Sequence, residues 1–427
     1  MRDLQPTSFT VAIEPGTGTD TADRLYTAQF FEIFAAVILF MTGAALQFHF
    51  GQYLEYLGHG VDTLGRVLSI AVTGTLLIRF HIGRWVDRFG CRPTWLVGTA
   101  AVAVAVGSLQ FAERLWLIVI LRTIQNMAFA AVMTTVAVFA AQIAPPHRRA
   151  ESIGTIGLAG FLGLILGPTL GDVIFSGSAD SILPYRVFFS ASAACSLAAG
   201  GIMLRVKLPA HGHAQSAAST SAVRTGDLST FRIIIQNWPG TVLLVGVCFS
   251  MVFCLQMSFL ERLAEARGFR DIKVFFLCYA PTAMALRVLL RRMPERFGRS
   301  RTVLTGLALL FAGLLCLIGI RSQAQLILPG LLMGAGHSFI FPSMVDIAAG
   351  SLPPDYRGTG TALILGAGDL GLLTGFACMG EAIEARGYDV TIAALAGTIL
   401  VAAAVFAASR WSSVLQGPSR RTTPQTS

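Results

Sequence analysis

The sequence has little charge for its length. Of its 427 residues only 13% are charged, whereas 54% are hydrophobic, and lysine occurs only at positions 207 and 273. Soluble globular domains carry about 25% charged residues, so this composition excludes a water-soluble globular protein. We therefore expect an integral membrane protein, with the lipid bilayer as its surroundings.

Signatures of nucleotide and metal chemistry are also missing from the sequence. No segment ends in the Gly-Lys-Ser/Thr of a P-loop, and neither His-Glu-x-x-His nor a pair of Cys-x-x-Cys motifs occurs. ATP-driven transport, a metal site and a bound cofactor are therefore not expected. An enzyme embedded in the membrane is disfavoured because no nucleophile and base cluster together in the sequence.

The length of the apolar segments predicts many membrane crossings, because a helix needs about 20 mostly apolar residues to cross the hydrocarbon. Twelve such segments lie roughly at 30–52, 64–83, 95–111, 115–142, 152–176, 184–204, 238–260, 273–290, 302–320, 324–349, 358–380 and 388–409. The longest polar stretch separates the sixth segment from the seventh. The expected organisation is an N-terminal tail (1–28), a six-helix bundle (29–206), a linker (207–237), a second six-helix bundle (238–409) and a C-terminal tail (410–427).

The formal net charge of +9 comes almost wholly from arginine. Cytoplasmic loops of membrane proteins are enriched in arginine and lysine, which explains this charge without a nucleic-acid partner. A cytoplasmic N-terminus places the main arginine clusters, near 84–92, 148–149, 291–301 and 420–421, on the cytoplasmic side. Residues 1–28 lack the pattern of a signal peptide. We therefore expect a multi-pass protein of the cell (inner or plasma) membrane with both termini in the cytoplasm.

An internal repeat relates the two predicted bundles. The sequence Arg-Phe-Gly at 88–90 returns at 296–298, and Asp87 matches Glu295 at the same shift of 208 residues. Other matches at this shift are Arg79 with Arg287, Arg149 with Arg357, Gly160 with Gly368, Gly163 with Gly371, and Gly167 with Gly375. A register of matches indicates duplication of a six-helix unit.

The charged segment at 83–92 resembles a motif of the major facilitator superfamily, in which the loop after the second helix has the pattern G-x-x-x-D-R-x-G-R-R. The matching residues are Gly83, Asp87, Arg88, Gly90 and Arg92, and Cys91 departs from the pattern. The resemblance implies an all-α fold of 12 transmembrane helices, in two six-helix bundles related by a pseudo-twofold axis. Such transporters bind their substrate near the middle of the membrane, between the halves.

The resemblance also gives this segment a gating role. Asp87 is expected to pair with a cation and a helix N-terminus of the other half, because the positive end of a helix stabilises an anion. The second copy, with Glu295, Arg296 and Gly298, is expected to form the weaker gate. The alternative interpretation is that these charges only anchor a cytoplasmic loop.

The fourth apolar segment contains a charged residue at membrane depth. Arg122, Gln125 and Asn126 resemble the R-x-x-Q-G pattern of the same superfamily, with Asn126 in place of glycine. Residues 122 and 125 share one face of a helix, and a buried arginine needs a polar partner or an aqueous cavity. The resemblance implies a substrate-binding or proton-coupling role, and the alternative is a structural ion pair.

The fifth apolar segment resembles the G-x-x-x-G-P-x-x-G-G pattern associated with antiporters in this superfamily. Gly163, Gly167, Pro168 and Gly171 match, whereas Asp172 replaces the final glycine. Small residues at this spacing permit close helix packing, and proline permits a bend. Packing alone would also explain these residues.

Further polar residues at membrane depth are candidates for a substrate or proton pathway: Gln47, His49, Gln256, His337 and Asp369. Asp369, as a carboxylate without a counter-charge at that depth, and His337, which titrates near neutral pH, could each carry a proton. Hydrogen bonds to a neighbouring helix are the alternative for both. Arg79 and Arg287, in equivalent positions, are interpreted as mainly structural.

These features favour proton-coupled efflux of a small organic molecule by an ion-driven monomeric transporter. An uptake symporter for a nutrient is the alternative within transport, and a receptor or sensor that does not transport is the alternative of another class. Arginine and histidine in an otherwise apolar cavity would suit an anionic or amphiphilic substrate.

Overall fold

The computed structural model describes residues 26–144, 148–176, 181–206, 228–269, 271–290 and 296–415. Within these ranges the secondary structure is helical, without strands. Eleven helical segments of the described chain are long and apolar enough to cross a membrane. The remaining predicted segment, the eighth, is a helix of 17 residues, Lys273–Leu289, and its rise of about 26 Å is close to the thickness of the hydrocarbon.

The described residues of the first half form seven α-helices. They are α1 (Ala28–Leu46), α2 (Phe50–Tyr56), α3 (Val61–Phe89), α4 (Cys91–Leu109), α5 (Leu115–Gln142), α6 (Arg149–Ile174) and α7 (Leu183–Arg205). A 3₁₀ turn, Gln47–His49, joins α1 to α2 within one membrane span. Helix α8 (Leu228–Gln236) follows before the second half.

The second half repeats this arrangement. Its helices are α9 (Val242–Cys254), α10 (Leu260–Ala266), α11 (Lys273–Leu289), α12 (Arg299–Leu317), α13 (Ile327–Ser351), α14 (Arg357–Arg386) and α15 (Tyr388–Leu415). A π-helical turn, Leu255–Phe259, joins α9 to α10. The first span of each half is therefore interrupted at an equivalent place. Breaks of this kind free backbone groups and are tolerated where they are buried in protein or line a cavity.

The charged segment at 83–92 is helical over most of its length, not a loop as the sequence suggested. Helix α3 extends to Phe89, and α4 begins at Cys91. Gly90 alone separates them, with φ of 86°, and its counterpart Gly298 has φ of 87°. Only glycine adopts this region of φ without strain, so the conserved spacing of the two copies reflects a sharp turn between helices.

The two ends of the molecule are named after residues that lie there. The His49 end is where α2, α6 and α10 finish, and the Gly90 end is where α3 turns into α4. The halves pack side by side along two flanks, α3 against α14 and α6 against α11. They also meet at the His49 end, where a Cβ on Gly51 of α2 would lie 2.9 Å from Cδ of Arg262 in α10.

Candidate functional site

Arg122 is buried inside the first half without a carboxylate partner among the described residues. It is 6% exposed, and its Nη1 donates to Oε1 of Gln47 at 3.0 Å and to Oε1 of Gln125 at 2.9 Å. Its guanidinium also lies 4.2 Å from the ring centre of Phe50. Sequence spacing correctly placed positions 122 and 125 on one face. Asn126 is half-buried and points about 100° round the helix from Gln125.

The glycines of α6 pack directly against α1. A Cβ on Gly163 would lie 2.4 Å from Cβ of Met41, one on Gly167 would lie 2.6 Å from the backbone nitrogen of Leu46, and one on Gly171 would lie 2.1 Å from His49. Real side chains cannot approach backbone or ring atoms so closely. The glycine pattern of the fifth segment therefore allows α6 to pack closely against α1 and places Gly171 against the His49 ring.

His49 lies at the centre of a buried cluster that both halves build. Its Nδ1 is 2.8 Å from Oε1 of Glu261 in α10, and its Nε2 is 3.3 Å from the carbonyl oxygen of Pro168 and 3.4 Å from Oδ1 of Asp172 in α6. The side chains of His49, Asp172 and Glu261 are 0% exposed. We call these three residues the His49 triad.

Sequence reasoning selected His49 but missed its two acidic partners. Glu261 was not among the candidates, and Asp172 was noted only as a departure from the glycine pattern. A signal for Glu261 existed, because it lies within one continuous apolar span, Val242–Ala266, where a carboxylate is costly unless it has a partner.

A cavity of about 340 Å³ opens beside the His49 triad. Its lining residues are Gln52, Asp172, Phe175, Ser176, Phe269, Asp271 and Gln323. The second oxygen of Asp172, Oδ2, accepts a hydrogen bond from the backbone N–H of Lys273 at 2.8 Å. Asp172 therefore borders the cavity and also ties α6 to the start of α11.

His337 lies among aromatic rings contributed by both halves. The ring centres of Phe249 and Phe253 lie 5.1 and 5.9 Å from it, and that of Phe161, from the first half, lies 5.5 Å away. Its Nδ1 forms a hydrogen bond with the hydroxyl of Tyr279. The guanidinium of Arg287 lies 5.4 Å from the ring centre of Phe161.

Asp369 is not an isolated carboxylate, contrary to the expectation from the sequence. Its Oδ2 accepts a hydrogen bond from Nε of Arg79 across the α3–α14 flank. The side chain of Asp369 is 9% exposed and that of Arg79 is 28% exposed. The interpretation of Arg79 as structural agrees with this pairing, whereas Arg287 has no carboxylate partner among the described residues.

The remaining candidates are described only in part. Gln256 is 3% exposed within the π-helical turn, and its Oε1 has no hydrogen-bond partner among the described residues. Arg92 donates to the carbonyl oxygen of Leu204, which links the start of α4 to the end of α7. Gly83 and Asp87 lie in α3, but the surroundings of Gly83 and the side chain of Asp87 are not described, and Glu295 lies outside the described residues. Arg88, Arg296 and Gly298 are exposed at the Gly90 end.

Comparisons with known proteins agree with this architecture. A family model described as Major Facilitator Superfamily matches residues 30–293 and 242–426. The chain is 23% identical over 348 residues to a protein of Lactococcus lactis named multi-drug resistance efflux pump PmrA homolog, covering 79% of this chain and 81% of that protein.

Two solved structures share the fold. The crystal structure of the nucleoside transporter NupG has a TM-score of 0.70 at 14% identity and covers 90% of this chain and 99% of its own. The human organic anion transporter MFSD10 (TETRAN) has a TM-score of 0.64 at 17% identity, with 89% and 100% coverage. Because the family model spans more than half of the sequence and the helices form the same fold, this chain belongs to the Major Facilitator Superfamily of membrane transporters.

Proposed function

We propose that this transporter exports a small organic molecule in exchange for protons by alternating access. The observation that supports this most directly is the packing of α6 against α1 through Gly163, Gly167 and Gly171, which are the residues that resemble the antiporter pattern. The name of the Lactococcus lactis relative, an efflux pump, supports the same direction. On the proposed topology both termini lie in the cytoplasm of a cell-membrane protein, so the His49 end faces outward.

The substrate class that suits the central region is an aromatic organic anion. Arg287 offers a half-buried guanidinium, and Phe161, Phe249 and His337 offer ring faces and edges between the halves. Stacking on rings and a charge-assisted bond to a guanidinium together recognise such a molecule. Arg122 is a further cation without a carboxylate partner among the described residues, and Gln47 and Gln125 hold it in place.

The gate at the opposite end follows from the family motif. Asp87, Arg88 and Arg92 are proposed to close the Gly90 end when the His49 end is open, with Glu295 and Arg296 as the weaker second copy. The protein is proposed to act as a monomer, because each half supplies one wall of the same site.

Everted membrane vesicles test the direction and the coupling together. Vesicles with and without the protein are incubated with a small-molecule extract of the host cells, with the vesicle interior made acidic, and their contents are compared by mass spectrometry. We expect anionic aromatic compounds to accumulate only when both the protein and the pH gradient are present. Accumulation of no compound would refute transport, whereas accumulation only in right-side-out vesicles would establish uptake.

A further inference from the structure

We propose that the His49 triad is a proton-binding site that both halves assemble, and that each closure of the His49 end takes up one proton there. The proposal goes beyond the proposed function, because a proton that enters and leaves at the same end controls closure of that end and is not itself carried across the membrane. Its basis is the hydrogen-bond geometry around the two nitrogens of His49.

Each ring nitrogen of His49 faces oxygen atoms that accept hydrogen bonds. Nδ1 is 2.8 Å from Glu261, and Nε2 is 3.3 Å from the carbonyl oxygen of Pro168. A carbonyl oxygen can only accept, as can an ionised carboxylate. A hydrogen atom is therefore needed at both nitrogens.

A neutral imidazole beside two ionised carboxylates supplies only one of these hydrogens. If the hydrogen is on Nδ1, the lone pair of Nε2 points at Pro168 and Asp172. If it is on Nε2, the lone pair of Nδ1 points at Glu261. Either arrangement leaves two acceptors facing each other among side chains that are fully buried, which is costly.

One added proton removes this conflict. It can make His49 an imidazolium, or reside on Glu261 and be donated to Nδ1 while Nε2 keeps its hydrogen. A proton on Asp172 serves less well, because the lone pair of Nε2 would then still face the carbonyl oxygen of Pro168. In the first two arrangements the triad holds two titratable protons and has a net charge of −1, compared with one proton and −2 before. The closed triad therefore binds one proton more than the same three side chains hold at neutral pH when they are apart.

The neighbouring charges are paired with one another and do not replace this proton. Arg262 of α10 bonds Glu55 of α2 and lies 2.8 Å from Glu265. Nζ of Lys273 lies 3.2 Å from Asp271, so the cation at the start of α11 is neutralised beside the cavity. The amide of Gln52 in α2 forms a hydrogen bond with Glu261, and the side chain of Tyr388, at the start of α15, also lies near Glu261.

Separation of the halves takes the site apart. His49 and Asp172 belong to the first half, whereas Glu261 belongs to the second, and the cavity beside Asp172 gives water a path to the site. Once Glu261 moves away and water reaches both nitrogens, the added proton is no longer required. Opening of the His49 end therefore releases one proton, and closing takes one up.

The test measures the conformation of the full chain and needs no substrate. Nitroxide labels are placed at Phe111→Cys and Ala324→Cys, exposed positions at the His49 end of the first and second half, after replacement of the seven native cysteines. Double electron–electron resonance measures the distance between the two labels, and the distance distribution gives the ratio of closed to open molecules from pH 5 to 9. If closure takes up one proton, this ratio falls about tenfold for each rise of one pH unit, over the range in which the open form has lost the proton and the closed form retains it.

The Glu261→Gln variant is expected to abolish this dependence, because a glutamine amide can donate to Nδ1 without a titrating proton. The control is Glu265→Gln on the same helix, which removes a nearby charge but touches neither ring nitrogen, and the slope of tenfold per pH unit should persist. His49→Gln provides a second variant should Glu261→Gln fail to fold, and it too should show no slope.

A slope that persists in both Glu261→Gln and His49→Gln would overturn the proposal, as would a wild type without any slope. The proposed function is refuted by a different result. If the closed-to-open ratio depends on pH as expected but no compound is transported in vesicles, the proton site is supported and the transport proposal is refuted. Proton-driven transport with an unaltered slope in the variants would leave transport standing and remove this site.

Discussion

The two flanks on which the halves meet are related by the 208-residue repeat, yet they place their charges differently. Near the His49 end, the α3–α14 flank has two glycines in contact, with a Cβ on Gly65 lying 3.0 Å from Cα of Gly380. The equivalent positions on the α6–α11 flank are Lys273 and Asp172, which form a hydrogen bond. The second flank therefore has a carboxylate where the first has only close backbone packing.

Closer to the Gly90 end the difference is reversed. Arg79 and Asp369 form an ion pair across the α3–α14 flank. Their equivalents on the α6–α11 flank are Arg287 and Phe161, where the guanidinium faces an aromatic ring. A compensated pair holds helices together, whereas a cation on a ring remains able to bind an anion. We therefore propose a structural role for the first flank and a ligand-binding role for the second.

The largest effect is expected where α6 is closest to the His49 ring. In Gly171→Val the first added carbon would lie 2.1 Å from the ring, and since the ring is buried on all sides, overpacking should cost about 1–3 kcal/mol and displace His49 from Glu261. We expect proton-driven transport in vesicles to be lost and the thermal unfolding temperature to fall. Gly160→Ala is the control, because its nearest neighbour would be 3.9 Å away, and loss of transport there would contradict the role given to close packing.

A transplant between the flanks should have the next largest effect. Phe161→Asp copies the Arg79–Asp369 pair onto Arg287. The new carboxylate would neutralise the cation that is proposed to bind the substrate. The substrate would then lose one charged hydrogen bond, which contributes about 1.5–3 kcal/mol to its binding free energy. Transport of anionic compounds should therefore fall about tenfold or more. Vesicle uptake and thermal unfolding should be measured together.

The matched control for the transplant is Phe161→Leu, which removes the ring but leaves Arg287 unpaired. It should retain more anion transport than Phe161→Asp, while stability is similar in both. Equal transport in the two variants would show that Arg287 does not bind the substrate.

The smallest effect concerns the two copies of the gate motif. Asp87→Asn should slow transport several-fold without altering membrane insertion, because a neutral amide interacts weakly with a helix N-terminus. Glu295→Gln should slow it less, since the second copy departs further from the motif. Initial rates of vesicle transport, normalised to inserted protein, measure both, and a larger effect at Glu295 would reverse the assignment.

Composition, segment length and the internal repeat sufficed to predict the fold, because burial of apolar residues in lipid and helix periodicity are local properties. The face shared by Arg122 and Gln125 was predictable for the same reason. The partners of Asp369 and His49 were not, because they are distant in the sequence. Arg79 lies 290 residues from Asp369 and Glu261 lies 212 residues from His49, and Asp172, although in the same half as His49, belongs to another helix. The clue that remained in the sequence was the departure from the repeat itself, since Asp172 matches Gly380 and Phe161 matches Asp369.

The most direct test of the account is the reciprocal flux in wild-type proteoliposomes. A gradient of an anionic compound identified in the vesicle assay is imposed without a pH gradient, and internal pH is followed with a trapped indicator dye. Exchange predicts that protons move opposite to the compound and accumulate against their own gradient. Protons that move with the compound, or an internal pH that stays constant during transport, would contradict it.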